Sequence, residues 1–193
     1  MATYILIVDG NKAMTVVVMQ NLFYTNLKIH SKFDLKGSTV KRFVTDEEII
    51  AGTTVLKDRN FKTKIYLEQE TKKKFLETIK IDAHFLRESN IMDYSILLGI
   101  NNNNESNGKT EQLPDLDNPT YWQQEEGGIP FPNGIYFMGI IDILQKYNLK
   151  KKLENAYKSR REKRKGKDPE AISAVGSAVY SKRFVKYVES LVA

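Results

Sequence analysis

Three aspartates stand where apolar runs meet a turn or another apolar element, and any fold that buries those runs must deal with the charges. Asp34 lies in Phe33-Asp34-Leu35, Asp93 in Ile91-Met92-Asp93-Tyr94, and Asp142 in Ile140-Ile141-Asp142-Ile143-Leu144. A carboxylate taken out of water costs several kcal/mol unless a cation or a hydrogen-bond donor compensates it. A solvent-exposed surface role therefore suits these three poorly. Taken singly, each reads equally well as a capping or ion-paired structural residue, since buried aspartates are usually paired. Taken together, they favour a site.

Around them the chain reads as an α+β domain. Tyr4–Val8 and Thr15–Met19 are β-branched runs separated by Asp9-Gly10-Asn11-Lys12, the composition of a hairpin turn. A third short strand is expected from Ile29 to Leu35, and residues 39–60, including Val55–Asp58, show no period. From Leu67 to Glu88 the period becomes helical. Phe75, Leu76, Ile79, Ala83 and Leu86 form the apolar face, Lys72, Lys73, Glu77 and Lys80 the other, and Ser89-Asn90 ends the helix. Apolar strands follow at Ser95–Ile100 and Ile135–Leu144, separated by a polar, asparagine-rich insertion at 101–128 that reads as a mobile loop. Ser177 is placed to cap a last helix with Tyr180, Phe184, Val188 and Leu191 on one face. An antiparallel sheet with packed helices is the expected fold class. A length of 193 residues with 41% hydrophobic content suits one domain with a real core.

Composition narrows the function by exclusion. The sequence contains no cysteine, so it offers no disulfide scaffold, thiolate zinc site or thiol nucleophile. No apolar run reaches the roughly 18–20 residues of a membrane span, and the opening stretch lacks the basic region of a signal peptide. A soluble intracellular protein is expected. Its charge is unevenly spread. Residues 146–167 hold eleven Lys and Arg against Glu154 and Glu162, giving +9 and leaving −3 for the rest of a chain whose total is +6. An anionic partner is expected at that segment. A solvated helix face and a nuclear-import signal are the plainer readings. Nucleic acid is not expected as a partner, because no aromatic interleaving or known motif accompanies the charge. His30 and His84 read as surface or packing residues, and Trp122 as a local anchor in the insertion.

Two aspartates and a lysine are a combination suited to phosphoryl transfer. Magnesium takes few protein carboxylates and completes its shell with water and phosphate oxygens. A second carboxylate can orient an attacking hydroxyl, while a lysine or arginine stabilises the transferring charge. On residue chemistry alone this is one option among several.

The motifs themselves are more specific. Asp34-Leu35-Lys36-Gly37-Ser38, Leu56-Lys57-Asp58 with Phe61, Ile91-Met92-Asp93-Tyr94-Ser95, Met138–Leu144 and Tyr180-Ser181-Lys182-Arg183-Phe184 occur in that order. In this series the chain resembles the carboxyl-terminal, kinase-like lobe of phosphatidylinositol phosphate kinases over nearly its whole length. The resemblance implies ATP and Mg²⁺ as cofactors and a phosphatidylinositol phosphate as substrate. It implies that Asp93 is the catalytic aspartate facing the inositol hydroxyl and that Asp142 binds magnesium. Lys36 would sit near the transferred phosphate, oriented by Asp34, and Arg42 would help hold the headgroup phosphate. Residues 16–23 are similar to the hinge, so that Met19, Asn21 and Leu22 would meet adenine above Leu97 and Ile141. Residues 143–176 would be the activation loop that contacts an anionic membrane, with Lys151-Lys152 as its paired lysines. Glu154 resembles the glutamate of enzymes acting on phosphatidylinositol 4-phosphate at the 5-hydroxyl, where kinases using the 5-phosphate isomer carry alanine. The expected location is cytoplasmic, peripheral at the inner face of the plasma membrane, and a homodimer is kept as a candidate assembly. One departure stands out. Neither a glycine-rich phosphate loop nor a Walker-type motif is present, and the chain is expected to begin at the last strands of the family's amino-terminal lobe. A non-catalytic phosphoinositide-binding fragment is therefore the alternative.

Overall fold

The computed structural model describes residues 2–7, 13–102, 127–145 and 176–193. Lys151, Lys152, Glu154, Trp122, the Asp9–Lys12 turn and most of the expected insertion and activation loop lie outside the described residues. Strand β1 (Ala2–Leu6) pairs antiparallel with β2 (Met14–Val18), Ala2 opposite Val18 and Leu6 opposite Met14. This hairpin forms a two-stranded sheet of its own, with Ile5, Ile7 and Val18 exposed.

The main sheet has five strands: β3 (Ser31–Leu35), β4 (Val55–Lys57), β5 (Ser95–Asn102), β6 (Ile129–Phe131) and β7 (Gly134–Ile141). Their order across the sheet is β4-β3-β5-β7-β6. The sequence predicts an antiparallel sheet; the sheet is antiparallel except at one edge, where β4 runs parallel to β3. Residues 36–54 between them supply the long crossover a parallel pair needs. That crossover includes the short helix α1 (Asp46–Ile50), which Thr45 caps with a reciprocal Glu48 capping box. At three residues β4 is too short to show a period, which is why its sequence carried no signal.

Strand alternation sorts the side chains onto two faces. Phe33, Leu35, Ile96, Leu98, Ile100 and Tyr136 turn to one core. Against it lie helix α2 (Gln69–Glu88), through Ile79, Ala83 and Leu86, and helix α3 (Ser177–Leu191), through Tyr180, Phe184, Val188 and Leu191. The other face carries Ile135 and Phe137, covered by Phe23, Leu27 and Ile29. Gly99 permits that cover, since a Cβ there would come within 2.4 Å of the Phe23 ring. Several expected boundaries shift. β5 continues through Asn101 and Asn102, which pair with Ile135 and Gly134, and the Asn101 amide donates to the Lys28 carbonyl at 2.9 Å. Those two asparagines therefore belong to the sheet and not to the insertion. β7 ends at Ile141, because Asp142 adopts a φ of 62° that leaves the extended region. Gly176, not Ser177, occupies the cap of α3; the Ser177 hydroxyl donates instead to Asn90 Oδ1 at 3.4 Å.

Candidate active site

Sheet register gathers the site. Leu35 ends β3 opposite Ile96, and Ser95 begins β5 opposite Ile141, the last residue of β7. Lys36, Asp93 and Asp142 thus fall one or two residues beyond the same end of three adjacent strands. Asp58 does the same beyond β4, whose Lys57 pairs with Asp34. Four charged residues that are distant in sequence meet at one edge.

Lys36 is the centre of the first group. Its ammonium donates to the Asp93 carbonyl at 2.8 Å and lies 3.4 Å from Asp93 Oδ1 and 3.6 Å from Asp142 Oδ2. Both aspartates sit in the left-handed backbone region, Asp93 at φ 68° and Asp142 at φ 62°. Non-glycine residues there are uncommon and cluster at functional sites. Met92 and Tyr94, both fully buried, hold Asp93 from either side. The Met92 N–H donates to the Gln145 carbonyl at 3.0 Å, tying the two aspartate turns together. One expectation is corrected here. The Asp142 side chain is 59% exposed against 28% for Asp93, so its charge needs no buried counterion. The apolar neighbours that suggested burial belong to β7, which ends one residue earlier.

An open cavity of about 380 Å³ lies over this group, lined by Met19, Lys36, Asp93, Asp142, Ile143 and Leu144. Ligand sites run from about 300 to 1,000 Å³, so the space suits part of a larger ligand. Met19, one of the expected hinge residues, is on its wall. Leu22 packs on Gly139, where a Cβ would meet its Cδ1 at 3.0 Å. Leu97 pairs with Gly139, and Ile141 follows two residues along on the same face. Leu22, Leu97 and Ile141 therefore share one face of the sheet. Asn21 turns its side-chain oxygen to the Phe23 N–H at 3.0 Å.

A second group differs from the sequence expectation. Asp34 does not orient Lys36; its Oδ2 pairs with the Arg42 guanidinium at 3.0 Å. Arg42 is itself buried, and it bonds Asp58 Oδ2 and the Asp34 carbonyl. The structure turns Arg42 inward, committed to two carboxylates, where the sequence pointed to a headgroup phosphate. Burial pulls its guanidinium pKa down, but the hydrogen bonds and charges of Asp58 and Asp34 outweigh burial and leave it raised. The reason lies in register. Asp34 is within β3, in register with Lys57 of β4, while Lys36 has already left the strand. Asp58, only 6% exposed, is the residue without a predicted role. Its one sequence signal is its place in the Leu56-Lys57-Asp58 motif.

A family model described as phosphatidylinositol-4-phosphate 5-kinase matches residues 1–129 and 121–191. The chain belongs to the phosphatidylinositol phosphate kinase family. Phosphatidylinositol 5-phosphate 4-kinase type-2 gamma of Xenopus tropicalis is 33% identical over 98% of this chain and 54% of its own length. Phosphatidylinositol 4-phosphate 5-kinase 3 of Arabidopsis thaliana is 33% identical over 94% of this chain and 31% of its own. The human type-2 alpha 5-phosphate 4-kinase is 34% identical, over 96% and 54%. The chain thus spans about half the length, or less, of these phosphatidylinositol phosphate kinases, and their names cover both positional specificities. The donor set fits a magnesium nucleotide. Magnesium takes one or two carboxylates and leaves its remaining positions to phosphate and water, and Asp142, exposed at the cavity wall beside Asp93, offers that kind of ligand.

Proposed function

We propose that this chain carries the catalytic residues of an ATP-dependent kinase that phosphorylates phosphatidylinositol 4-phosphate at the 5-hydroxyl, giving the 4,5-bisphosphate. The observation that carries this reading is the Lys36 ammonium held between Asp93 and Asp142 at the wall of an open cavity. A bound magnesium nucleotide would supply the phosphoryl group and part of its charge neutralisation. Asp93 accepts the proton of the inositol hydroxyl as that oxygen attacks. Lys36 stabilises negative charge on the transferring group. Asp142 holds the metal, and the apolar face of Leu22, Leu97 and Ile141 receives the adenine. The basic segment 146–167 supports docking at the cytoplasmic face of the plasma membrane, each Lys or Arg near an anionic surface being worth about 1 kcal/mol. Glu154 supports the 4-phosphate isomer as substrate.

The test is transfer of label from radiolabelled ATP to vesicles containing phosphatidylinositol 4-phosphate, with Asp142→Asn as control. Labelled bisphosphate from the parent chain and none from the variant supports the enzyme. A second reading is a phosphoinositide-binding module, favoured by the basic segment 146–167. Vesicle binding without label would favour it. Glu154→Ala is expected to shift preference toward the 5-phosphate isomer, and unchanged preference would refute the assignment of Glu154.

A further inference from the structure

We infer that Asp58 is a positioning residue for Lys36: its carboxylate clamps the backbone of the turn from which the lysine reaches the two aspartates. Asp58 Oδ1 accepts from the Lys36 N–H at 2.9 Å and from the Gly37 N–H at 2.7 Å. Its Oδ2 accepts from Arg42 Nε at 2.5 Å. A nearly buried carboxylate thus holds two successive amides with one oxygen, while Arg42 balances its charge from the other side. The turn is clamped from the α3 side as well. Gly37 stands at φ 67°, and a Cβ there would fall 2.7 Å from Tyr187 Cβ, so only glycine fits beneath that ring. The Tyr187 phenol also senses Asp58. Burial, then the charge of Asp58 and its hydrogen bond, raise the phenol pKa.

The consequence reaches the cavity through one residue. Lys36 is the sole member of its turn whose side chain meets Asp93 and Asp142 among the described residues. Its ammonium is held at the far end by the Asp93 carbonyl and the two carboxylates, and the direction its backbone gives it decides whether it reaches all three. A misplacement of about 1 Å in a charge-stabilising group can cost about 100-fold in rate. Asp58 itself lines neither the cavity nor its mouth. It acts by aiming the lysine.

This inference rests on the role proposed above for Lys36, and two readouts separate the two claims. The first is the acylation rate of Lys36 by an acetyl N-hydroxysuccinimide ester, measured by peptide mass spectrometry with exposed Lys62 as internal reference. The second is the kcat and KM for vesicle phosphorylation. In Asp58→Asn and Asp58→Ala, Lys36 acylation is expected to rise relative to Lys62, and kcat to fall by about 10–100-fold with KM for ATP little changed. Asp58→Asn keeps one side-chain acceptor and serves where the alanine variant fails to fold, with far-UV circular dichroism and urea midpoint as checks. Unchanged Lys36 acylation in a folded variant overturns the inference, with or without measurable turnover. Lys36→Met that keeps parent turnover would instead overturn the role of Lys36, leaving the acylation result to decide Asp58.

Discussion

Asp93 and Tyr94 are neighbours with opposite surroundings. The left-handed backbone at Asp93 presents its carboxylate to the cavity. The next residue, Tyr94, is wholly buried. Its ring packs edge-on against Tyr180 at 4.8 Å and Phe184 at 4.9 Å, and the Tyr180 hydroxyl donates to the Tyr94 carbonyl. Burial pushes the Tyr94 phenol up to about 12 from an ordinary 10.0. Stability linked to this residue is fully present below pH 10, where folded and unfolded chains both hold the proton. Between about pH 10 and 12 only the folded chain holds it, so unfolding releases a proton, rising pH favours that release, and stability falls by about 1.4 kcal/mol per pH unit. Tyr180 and Tyr187 are also raised and add to the fall. Urea unfolding as a function of pH should show Tyr94→Phe losing stability less steeply than the parent above pH 10. Equal slopes would mean that the phenol ionises as easily folded as unfolded.

At the scale of elements, the same strand ends that build the site explain what the sequence could and could not show. α2, α3, β5 and β7 each carry a long apolar period, and their cores are where that period puts them. Asp93, Asp142 and Lys36 stood out because a charge beside such a run is conspicuous. Their partners did not, because partnership depends on register between strands far apart in sequence. The family resemblance implies that Asp34 orients Lys36, yet Asp58, just beyond a β4 too short to recognise, holds the Lys36 backbone, and the buried Arg42 takes Asp34. The hairpin β1–β2 was legible from its β-branched runs, but its isolation was not. Two strands alone are marginally stable in water, and among the described residues this pair makes no strand pairing with the main sheet. Amide hydrogen exchange should therefore be fast at Thr3–Ile5 and Val16–Val17 and slowest at Ile96–Ile100 and Tyr136–Met138, which lie inside the five-stranded sheet. Comparable protection in the hairpin would show that it is held by something beyond its own ladder.

Over the whole molecule, the decisive quantity is the separation of charge. A net +6 hides a segment of +9 on a body of −3. If that segment docks the chain on an anionic leaflet, the attraction acts over a screening length of about 8 Å at physiological ionic strength and about 30 Å at 0.01 M. Binding should then weaken steadily with added salt, whereas docking through the exposed apolar side chains of the hairpin would not. Lys151 and Lys152 provide the sharper measurement. At about 1 kcal/mol for each cation near the surface, replacing both with glutamine removes about 2 kcal/mol, or roughly 30-fold in affinity. Co-sedimentation with vesicles containing phosphatidylinositol 4-phosphate should show that loss at low salt and a shallower salt dependence in the double variant. If the two lysines act at the membrane and not in the chemistry, turnover on a water-soluble short-chain substrate should fall far less than turnover on vesicles. Equal losses on both substrates would place the lysines in the chemistry, and no loss on either would remove the membrane from the role of this segment.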